Sequence, residues 1–129
     1  MNKHETHKII HVVDDEDALR EVLLQILSCY GFRVKTFDSG ENYLAHMQND
    51  SFDTPAVLLS DINMSGMNGF QLLREVQRRH PAVCCMLMTA DPDQCTDQHL
   101  QQHALAGRVS HVFTKPIHPL NLKNILENA

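Results

Sequence analysis

The stretch AVLLSDINMSGMNGFQLL, residues 56–73, decides the fold. It opens with a short aliphatic run that stops at Ser60 and Asp61, continues through a polar turn with two glycines, and becomes amphipathic from Phe70 onward. An unbroken apolar run of this kind is typical of a strand buried on both faces of a parallel sheet. Asp61 would then lie at the carboxyl end of the strand, where open α/β sheets form their sites. A helix N-cap or a turn is the ordinary alternative for this aspartate, and the stretch alone does not decide between them.

Apolar runs and amphipathic helical patterns alternate along the whole chain. The apolar runs predict five strands, at residues 8–13, 32–37, 55–60, 82–88 and 109–113. Helical periodicity and capping residues predict five helices, at residues 19–30, 40–48, 70–79, 94–105 and 119–126. Gly31 and Gly107 follow two of these helices, as is typical of a helix C-terminus. The alternation predicts a three-layer α/β fold with a five-stranded parallel sheet, and right-handed crossovers favour the flavodoxin-like strand order 2-1-3-4-5.

Size and composition restrict the class of protein. With 129 residues, 43% of them hydrophobic and 21% charged, the chain suits one soluble globular domain with a full core. A formal net charge of −5 and a pI near 5.9 argue against a nucleic-acid-binding surface. The sequence shows neither a transmembrane span nor the apolar core of a signal peptide. Its cysteines form no CxxC pair and are typical of reduced thiols in a cytoplasmic protein: Cys29, Cys84, Cys85 and Cys95.

Polar residues that could bind a metal or take part in a reaction follow four of the predicted strands. Because the carboxyl ends of parallel strands share one sheet edge, these residues are expected to converge: Asp14, Asp15, Asp61, Thr89 and Lys115. Two carboxylates about 4 Å apart repel by roughly 4 kcal/mol at an effective dielectric near 20. Three carboxylates therefore predict a cation among them, and oxygen ligands without His or Cys favour Mg²⁺ over zinc.

Such a site suits phosphoryl chemistry. A Mg²⁺ ion with open positions usually faces a phosphate, and a neighbouring aspartate can be the nucleophile that receives a phosphoryl group. The metal and the Lys115 ammonium would stabilise the transferring oxygens, and Thr89 would offer a hydroxyl donor to one of them.

Four short motifs carry a resemblance to a known family: VVDDED at residues 12–17, DINMSGMNG at 61–69, MTAD at 88–91 and FTKP at 113–116. Each motif is weak alone, but the four in this order and at these separations are a strong signal. The chain resembles the receiver domain of two-component response regulators, the CheY-like family, from its first predicted strand to its last predicted helix. The resemblance implies a receiver domain over residues 1–129, with an ordered core at about 8–127 and no output domain in this chain.

The resemblance also implies a phosphorylation site with a metal. It implies that Asp61 is the phosphoacceptor and contributes to a Mg²⁺ site. The other metal ligands that it implies are Asp15 directly, Asp14 through water and Asn63 through its backbone carbonyl.

A second set of residues is implied to act in switching. Lys115 would hold a phosphoryl oxygen, Thr89 would move toward the phosphoryl group, and Phe113 would turn inward with it. The peptide before Pro116 is cis in such domains. From periodicity alone, ordinary packing of an edge strand is the favoured explanation for Phe113.

Three features depart from the family pattern or vary within it. Ser65 stands where a proline is usual, which is expected to loosen one turn without removing chemistry. The segment from Gly107 to Lys115 runs one residue longer than the commonest pattern, which leaves the end of the fourth helix open. Asn63 and Asp91 flank the site at positions that tune hydrolysis of the phosphoaspartate in such domains.

The resemblance implies a phosphorelay switch. A sensor histidine kinase or a histidine phosphotransfer protein would dock near the first helix and phosphorylate Asp61. The face formed by the fourth helix, fifth strand and fifth helix would then shift and control binding of a downstream protein target or of an output domain absent from this chain. Direct binding to nucleic acid or to a membrane is not expected, and a phosphorylation-dependent dimer is an open alternative.

Two rival functions are weaker. A Mg²⁺-dependent phosphatase with an aspartyl nucleophile usually needs a second acid two residues after the nucleophile, where this chain has Asn63, and the chain leaves no room for a cap domain. A receiver fold that is never phosphorylated is disfavoured because every active-site residue is in place. Only self-phosphorylation and self-dephosphorylation are then expected, rather than enzymatic turnover.

Five histidines are interpreted as surface residues rather than metal ligands. His99 and His103 are four residues apart on a predicted helix, but no third ligand is evident and glutamines flank them. His4, His7 and His11 near the N-terminus are assigned to the surface in the same way.

Overall fold

Five strands form one parallel sheet in the computed structural model, which describes residues 8–129. The strands are β1 (Ile9–Val13), β2 (Arg33–Phe37), β3 (Val57–Asp61), β4 (Cys84–Thr89) and β5 (His111–Thr114). The helices between and after them are α1 (Asp17–Cys29), α2 (Gly40–Met47), α3 (Gly69–Arg79), α4 (Asp97–Gln102) and α5 (Pro119–Glu127). The strand order is β2-β1-β3-β4-β5, which confirms the predicted topology.

Two apolar layers hold the helices against the sheet. Helices α1 and α5 pack on one face through Leu23, Leu27, Leu122 and Leu126. Helices α2 and α3 pack on the other through Tyr43, Met47, Leu72, Leu73 and Val76. All five residues of β3 are buried, because Leu58 faces one layer while Val57 and Leu59 face the other. Full burial contributes roughly 1.5–3 kcal/mol for each large apolar side chain, so the aliphatic run of β3 fixes the centre of the fold.

Neighbouring cysteines in β4 show the same alternation. Cys85 is buried in the layer under α2 and α3, and Cys84 is half-buried against the opposite layer. The prediction that they point to opposite faces is confirmed, and all four cysteines are free thiols.

The loop between β3 and α3 is fixed by a cap and by one glycine. The Asn68 side chain accepts from the Gln71 N–H, and the Gln71 side chain accepts from the Asn68 N–H. Two backbone N–H groups at the start of α3 thereby have hydrogen-bond partners. The Gly69 N–H donates to the Ile62 carbonyl at 2.9 Å. A Cβ on Gly69 would lie 2.3 Å from the Asp61 carbonyl oxygen, so only glycine allows this approach. The start of α3 is thereby held directly against Asp61.

Helix α4 is shorter than the sequence predicts. The expected helix at 94–105 is replaced by a 3₁₀ turn at Pro92–Cys95 and a six-residue helix. The helix is interrupted there because Thr96 has an extended backbone and caps α4 through a capping box with His99. The positive φ after the helix belongs to Ala104 (59°), close to the helix end, and Gly107 (72°) lies farther along. The expectation that Gly107 closes this helix is therefore wrong.

Strands β3, β4 and β5 each begin two residues later than predicted. The apolar residues just before them contribute to packing without joining the ladder. Val83, for example, is buried, but its N–H donates to the His80 carbonyl in a turn. Across the described residues 8–129, no helix is long and apolar enough to cross a membrane.

His11 is fully buried, so its assignment to the surface is wrong. It lies on β1, an interior strand of the sheet, where both faces are covered, and it faces the rings of Phe37, Tyr43 and Phe52. Its Nδ1 shares a 2.8 Å hydrogen bond with the Tyr43 hydroxyl, whereas its Nε2 has no partner among the described residues. Burial, with smaller contributions from His46 and Lys35, lowers the pKa of His11 to about 4.

The other histidine assignments have mixed outcomes. The His99 side chain accepts from the Thr96 N–H in the capping box of α4, and His103 is half-buried and stacks on Phe70 with ring centroids 4.2 Å apart, so neither is simply a solvated side chain. His4 and His7 lie outside the described residues.

Burial of neutral His11 predicts an acid-dependent loss of stability. The unfolded chain binds a proton at this site near pH 6.5 and the folded chain only near pH 4, so stability is complete above 6.5 and falls as the pH decreases toward 4. The loss from His11 between neutral pH and pH 5 should be about 2 kcal/mol. Urea unfolding at several pH values measures it, and His11→Leu should lack this component.

Tyr43→Phe is the matched control for this experiment. It removes the hydrogen-bond partner and should lower stability at every pH while retaining the acid-dependent slope. An equal acid-dependent loss in wild type and His11→Leu would show that another group is responsible.

Candidate functional site

The sheet topology brings the predicted site residues to one edge. Asp14 directly follows β1, Asp61 ends β3, Thr89 ends β4, and Lys115 directly follows β5. In the ladders Val13 pairs with Ser60, and Thr89 pairs with Thr114, so these strand ends lie level with one another. The structure therefore places acidic, hydroxyl and ammonium groups from four strands side by side.

Lys115 bridges two buried carboxylates. Its Nζ lies 3.1 Å from Asp14 Oδ2 and 3.2 Å from Asp61 Oδ1. Asp14 is fully buried and Asp61 is 6% exposed, whereas the Lys115 side chain is 20% exposed. Asp14 Oδ1 also accepts from the Glu16 N–H at 2.8 Å. Because a buried carboxylate is costly without partners, Lys115 and this N–H offset the burial of Asp14.

The pKa of Asp61 is raised although Lys115 lies beside it. Burial raises the pKa of Asp61 and the charge of Asp14 raises it further, while Lys115 and the backbone of Ile62 offset only part of the shift. Partial burial lowers the pKa of Lys115, but its hydrogen bonds and ion pairs with Asp14 and Asp61 outweigh this, so the net shift is upward. A further cation beside Asp61 would therefore stabilise the ionised form.

Three carboxylates lie close enough to share a metal ion. One oxygen from each of Asp14, Asp15 and Asp61 lies within 4.8 Å of the others, and no second group of this kind occurs in residues 8–129. Asp15 is exposed, so the group opens to solvent on one side. All the ligand atoms are carboxylate oxygens, the donor type that Mg²⁺ prefers. The donor set and the raised pKa of Asp61 both fit a hard divalent cation.

Ser65 holds one of these carboxylates. Its backbone N–H donates to Asp15 Oδ2 at 3.0 Å. A proline has no N–H and could not make this hydrogen bond. The departure noted in the sequence is therefore more than a looser turn, because it supplies a donor to a candidate metal ligand.

A second acidic residue fixes the same loop from the other side. Glu41, in the first turn of α2, accepts from the Met67 N–H at 3.0 Å. The same carboxylate packs so closely that a Cβ on Gly66 would lie 2.5 Å from it. The loop after Asp61 is thus held between Asp15 and Glu41.

Thr89 and Asn63 are engaged with their own surroundings. Thr89 is fully buried, and its hydroxyl contacts the Asp91 main chain and the Gln94 side chain. The Asn63 side chain also pairs with Gln94. The sequence analysis did not identify Gln94, because no motif contains it and its position was assigned to a regular helix.

Phe113 points into the core. It is 2% exposed, packs in the layer formed with α1 and α5, and meets the His111 ring edge-on at 4.5 Å. The Lys115–Pro116 peptide is cis, and the Lys115 N–H donates to the Thr89 carbonyl at 2.7 Å. The ends of β4 and β5 are therefore tied together next to the site.

An apolar groove lies beside the site between α1 and α5. It has a volume of about 500 Å³ and includes Leu19, Val22, Ile26, Ile117 and Leu122. Lys115 and Pro116 also line it, so the groove is continuous with the charged cluster. Val22 is 48% exposed and Leu120, on α5, is 51% exposed.

Comparisons with known proteins agree with this geometry. A family model described as the response regulator receiver domain matches residues 10–127. The DNA-binding transcriptional regulator NtrC of Salmonella typhimurium is 42% identical over 85 residues, which are 66% of this chain and 18% of that protein. The response regulator protein FleR of Pseudomonas aeruginosa is 38% identical over 79 residues, 61% of this chain and 16% of that protein. The chain spans less than a fifth of the length of these relatives.

A solved structure shows the same fold. The chemotaxis response regulator CheY4 of Vibrio cholerae superposes with a TM-score of 0.78 at 24% identity, over 95% of this chain and 98% of that one. At this level of identity the likeness establishes the fold rather than the chemistry.

Removal of Lys115 should destabilise the fold through Asp14 and Asp61. We expect Lys115→Met to cost about 3 kcal/mol at neutral pH without metal, because two buried carboxylates lose their shared cation. Millimolar Mg²⁺ should stabilise wild type and recover part of this loss in the variant, since metal that binds only the folded state stabilises it. Urea unfolding with a chelator or with Mg²⁺ measures both effects.

Lys123→Met provides the matched control. Lys123 pairs with Glu127 on the surface of α5, and its loss should cost less than about 1 kcal/mol with no dependence on Mg²⁺. Equal stability of the two variants in the chelator would contradict the role of Lys115 in compensating the buried charge.

Proposed function

Because the chain belongs to the response regulator receiver domain family, we propose that it is a phosphorylation switch in which Asp61 accepts a phosphoryl group. The observation that carries this proposal is the cluster of Asp14, Asp15 and Asp61, in which Asp14 and Asp61 pair with the Lys115 ammonium. A receiver domain is a signalling domain of two-component systems, and phosphorylation and Mg²⁺ dependence are general to the family. The roles of individual residues below are part of the proposal.

The transfer step uses Asp61 as the nucleophile. A carboxylate oxygen of Asp61 forms a bond to phosphorus as the bond from phosphorus to the donor nitrogen or oxygen breaks, and the leaving group departs with the bonding electron pair. Lys115, already 3.2 Å from Asp61, is placed to hold a phosphoryl oxygen. A Mg²⁺ ion held by Asp14, Asp15, Asp61 and the Asn63 carbonyl would supply further positive charge to the transferring group.

Two buried residues are proposed to read the new charge. A phosphoryl group adds close to two negative charges and strong acceptor oxygens at Asp61. The Thr89 hydroxyl would turn toward it, and Phe113 would change its packing in the layer with α1 and α5. Since the Lys115 N–H binds the Thr89 carbonyl, a shift at β4 would pass to β5 and then to the α4–β5–α5 face.

The donor is proposed to be a sensor histidine kinase or a histidine phosphotransfer protein. The groove between α1 and α5 is apolar, partly exposed at Val22, and continuous with Lys115. A helix of the donor that carries the phosphohistidine could bury Val22 there and present the phosphoryl group to Asp61. In this proposal the apolar groove positions the donor, and Asp61 in the charged cluster accepts the phosphoryl group.

The downstream partner is proposed to be a protein surface or an output domain that reads the α4–β5–α5 face. The relative NtrC is named as a DNA-binding transcriptional regulator, and FleR as a response regulator. Both proteins extend far beyond the region that matches this chain. With a net charge of −5, this chain itself is not proposed to bind nucleic acid. A phosphorylation-dependent dimer on that face is open to the same test of partner binding.

The phosphatase alternative lacks support at one position. Its second acid would lie two residues after the nucleophile, where Asn63 stands with its amide bonded to Gln94. We therefore propose no turnover of phosphate esters beyond slow loss of the phosphoryl group from Asp61 itself.

A small phosphodonor such as acetyl phosphate should add one phosphoryl group to wild type in the presence of Mg²⁺. Intact mass spectrometry measures the added mass, and a chelator should prevent the modification because the acidic cluster needs a cation. Asp61→Asn keeps the size of the side chain but removes the nucleophile, and should remain unmodified.

Asp53→Asn is the matched control, since Asp53 is a half-exposed aspartate that precedes β3 and pairs with Lys35. It should be modified as wild type is. Persistent modification of Asp61→Asn would exclude Asp61 as the acceptor, and hydrolysis of a generic phosphate ester at many turnovers would favour the phosphatase.

A further inference from the structure

Gln94 joins two residues of the site that lie on different loops. Its Nε2 donates to Asn63 Oδ1 at 2.5 Å, and Asn63 Nδ2 donates to Gln94 Oε1 at 2.9 Å. Asn63 lies two residues after Asp61, and Gln94 lies in the 3₁₀ turn between β4 and α4. Each amide thus gives and receives one hydrogen bond, which fixes both side chains. We refer to these two residues as the Asn63–Gln94 amide pair.

The same pair reaches the Thr89 hydroxyl. Thr89 Oγ1 lies 3.3 Å from Gln94 Oε1 and 3.0 Å from the Asp91 carbonyl oxygen, and it accepts from the Asp91 N–H at 3.0 Å. A hydroxyl has a single proton, which is shared here between two acceptors on the turn after β4. Thr89 is fully buried, so water does not replace these partners. The hydroxyl is committed to the turn rather than to Asp61.

We propose that Gln94 is a positioning residue that holds Thr89 and Asn63 in the unphosphorylated arrangement. This inference rests on the proposed function. For Thr89 to donate to a phosphoryl oxygen on Asp61, its proton must leave Gln94 and Asp91. The turn that contains Gln94 would then change its conformation. Because α4 begins three residues after Gln94, next to the Thr96 cap, that change would also move the start of α4.

The physical consequence is a shift of population. Loss of the amide pair removes stabilisation from the resting arrangement only, so the arrangement that reacts with a phosphodonor becomes more populated. The net value of one or two hydrogen bonds corresponds to an increase of about three- to tenfold. A merely structural role for Gln94 would lower stability without changing the reaction at Asp61.

The test compares Gln94→Ala with Gln101→Ala, which removes an exposed glutamine from α4. In the unmodified protein, NMR of the Asn63 side-chain amide and the Thr89 methyl group should change in the first variant and not in the second. With acetyl phosphate and Mg²⁺, Gln94→Ala should be phosphorylated about three- to tenfold faster than wild type, as measured by intact mass against time. Gln94→Met, which retains the length of the side chain without its amide, should behave in the same way.

A double-mutant cycle adds Asn63→Ala, which leaves the backbone carbonyl in place. The amide pair predicts that Gln94→Ala accelerates phosphorylation less when Asn63 is already alanine, because the shared interaction is lost once. Unchanged Asn63 and Thr89 signals in Gln94→Ala would overturn the inference, and so would a phosphorylation rate equal to that of Gln101→Ala. If wild type were never modified, the proposed function would fail, and the NMR comparison alone would decide whether Gln94 holds Thr89.

Discussion

Repulsion among three carboxylates at one edge of the sheet is the constraint on which the rest of the structure depends. Two like charges about 4 Å apart would repel by roughly 4 kcal/mol at an effective dielectric near 20, a large fraction of the stability of a domain this size. The figure applies to the two buried carboxylates, Asp14 and Asp61, since solvent screens the charge of exposed Asp15. The apolar run of β3 places Asp61 next to Asp14 despite the repulsion between the two carboxylates, because the core layers fix the register of β1 and β3. Burial, followed by the charge of Asp14, raises the pKa of Asp61, and Lys115 offsets only part of that shift. Negative charge that is costly to bury is thus concentrated where a cation and a phosphoryl group would act.

Short-range backbone contacts convert this edge into a defined site. Gly69 brings the start of α3 against the Asp61 carbonyl, Ser65 donates to Asp15, and Glu41 receives the Met67 N–H. Each contact uses a backbone group of the loop after Asp61, so that loop is held without large side chains that would fill the site. Precise placement of the carboxylates therefore comes from main-chain hydrogen bonds, whereas their approximate convergence comes from topology alone.

The sequence was sufficient for features that follow from periodicity and from long-range topology. Apolar runs located all five strands, and the strand order brought Asp14, Asp61, Thr89 and Lys115 to one edge. Features set by tertiary context were missed. His11 is buried because β1 lies in the interior of the sheet, a property that no local pattern encodes. The break before α4 depends on capping by Thr96 that competes with a continuous helix, and Gln94 acquires its partners only through that break. Short polar residues in irregular turns carry no periodic signal, so their contacts cannot be read from the chain.

The hydrogen-bonding capacity of Thr89 connects the resting site to its proposed activation. Its single proton cannot serve the turn after β4 and a phosphoryl oxygen at once, so the two arrangements exclude each other. A neutral hydrogen bond contributes about 1 kcal/mol net, and one to a charged oxygen contributes about 1.5–3 kcal/mol. The phosphoryl group would therefore compete successfully for the Thr89 proton while it is attached to Asp61. Once it is lost, the acceptors on the turn after β4 are again the partners of Thr89, so the switch is reversible, and the Asn63–Gln94 amide pair favours the resting arrangement before phosphorylation.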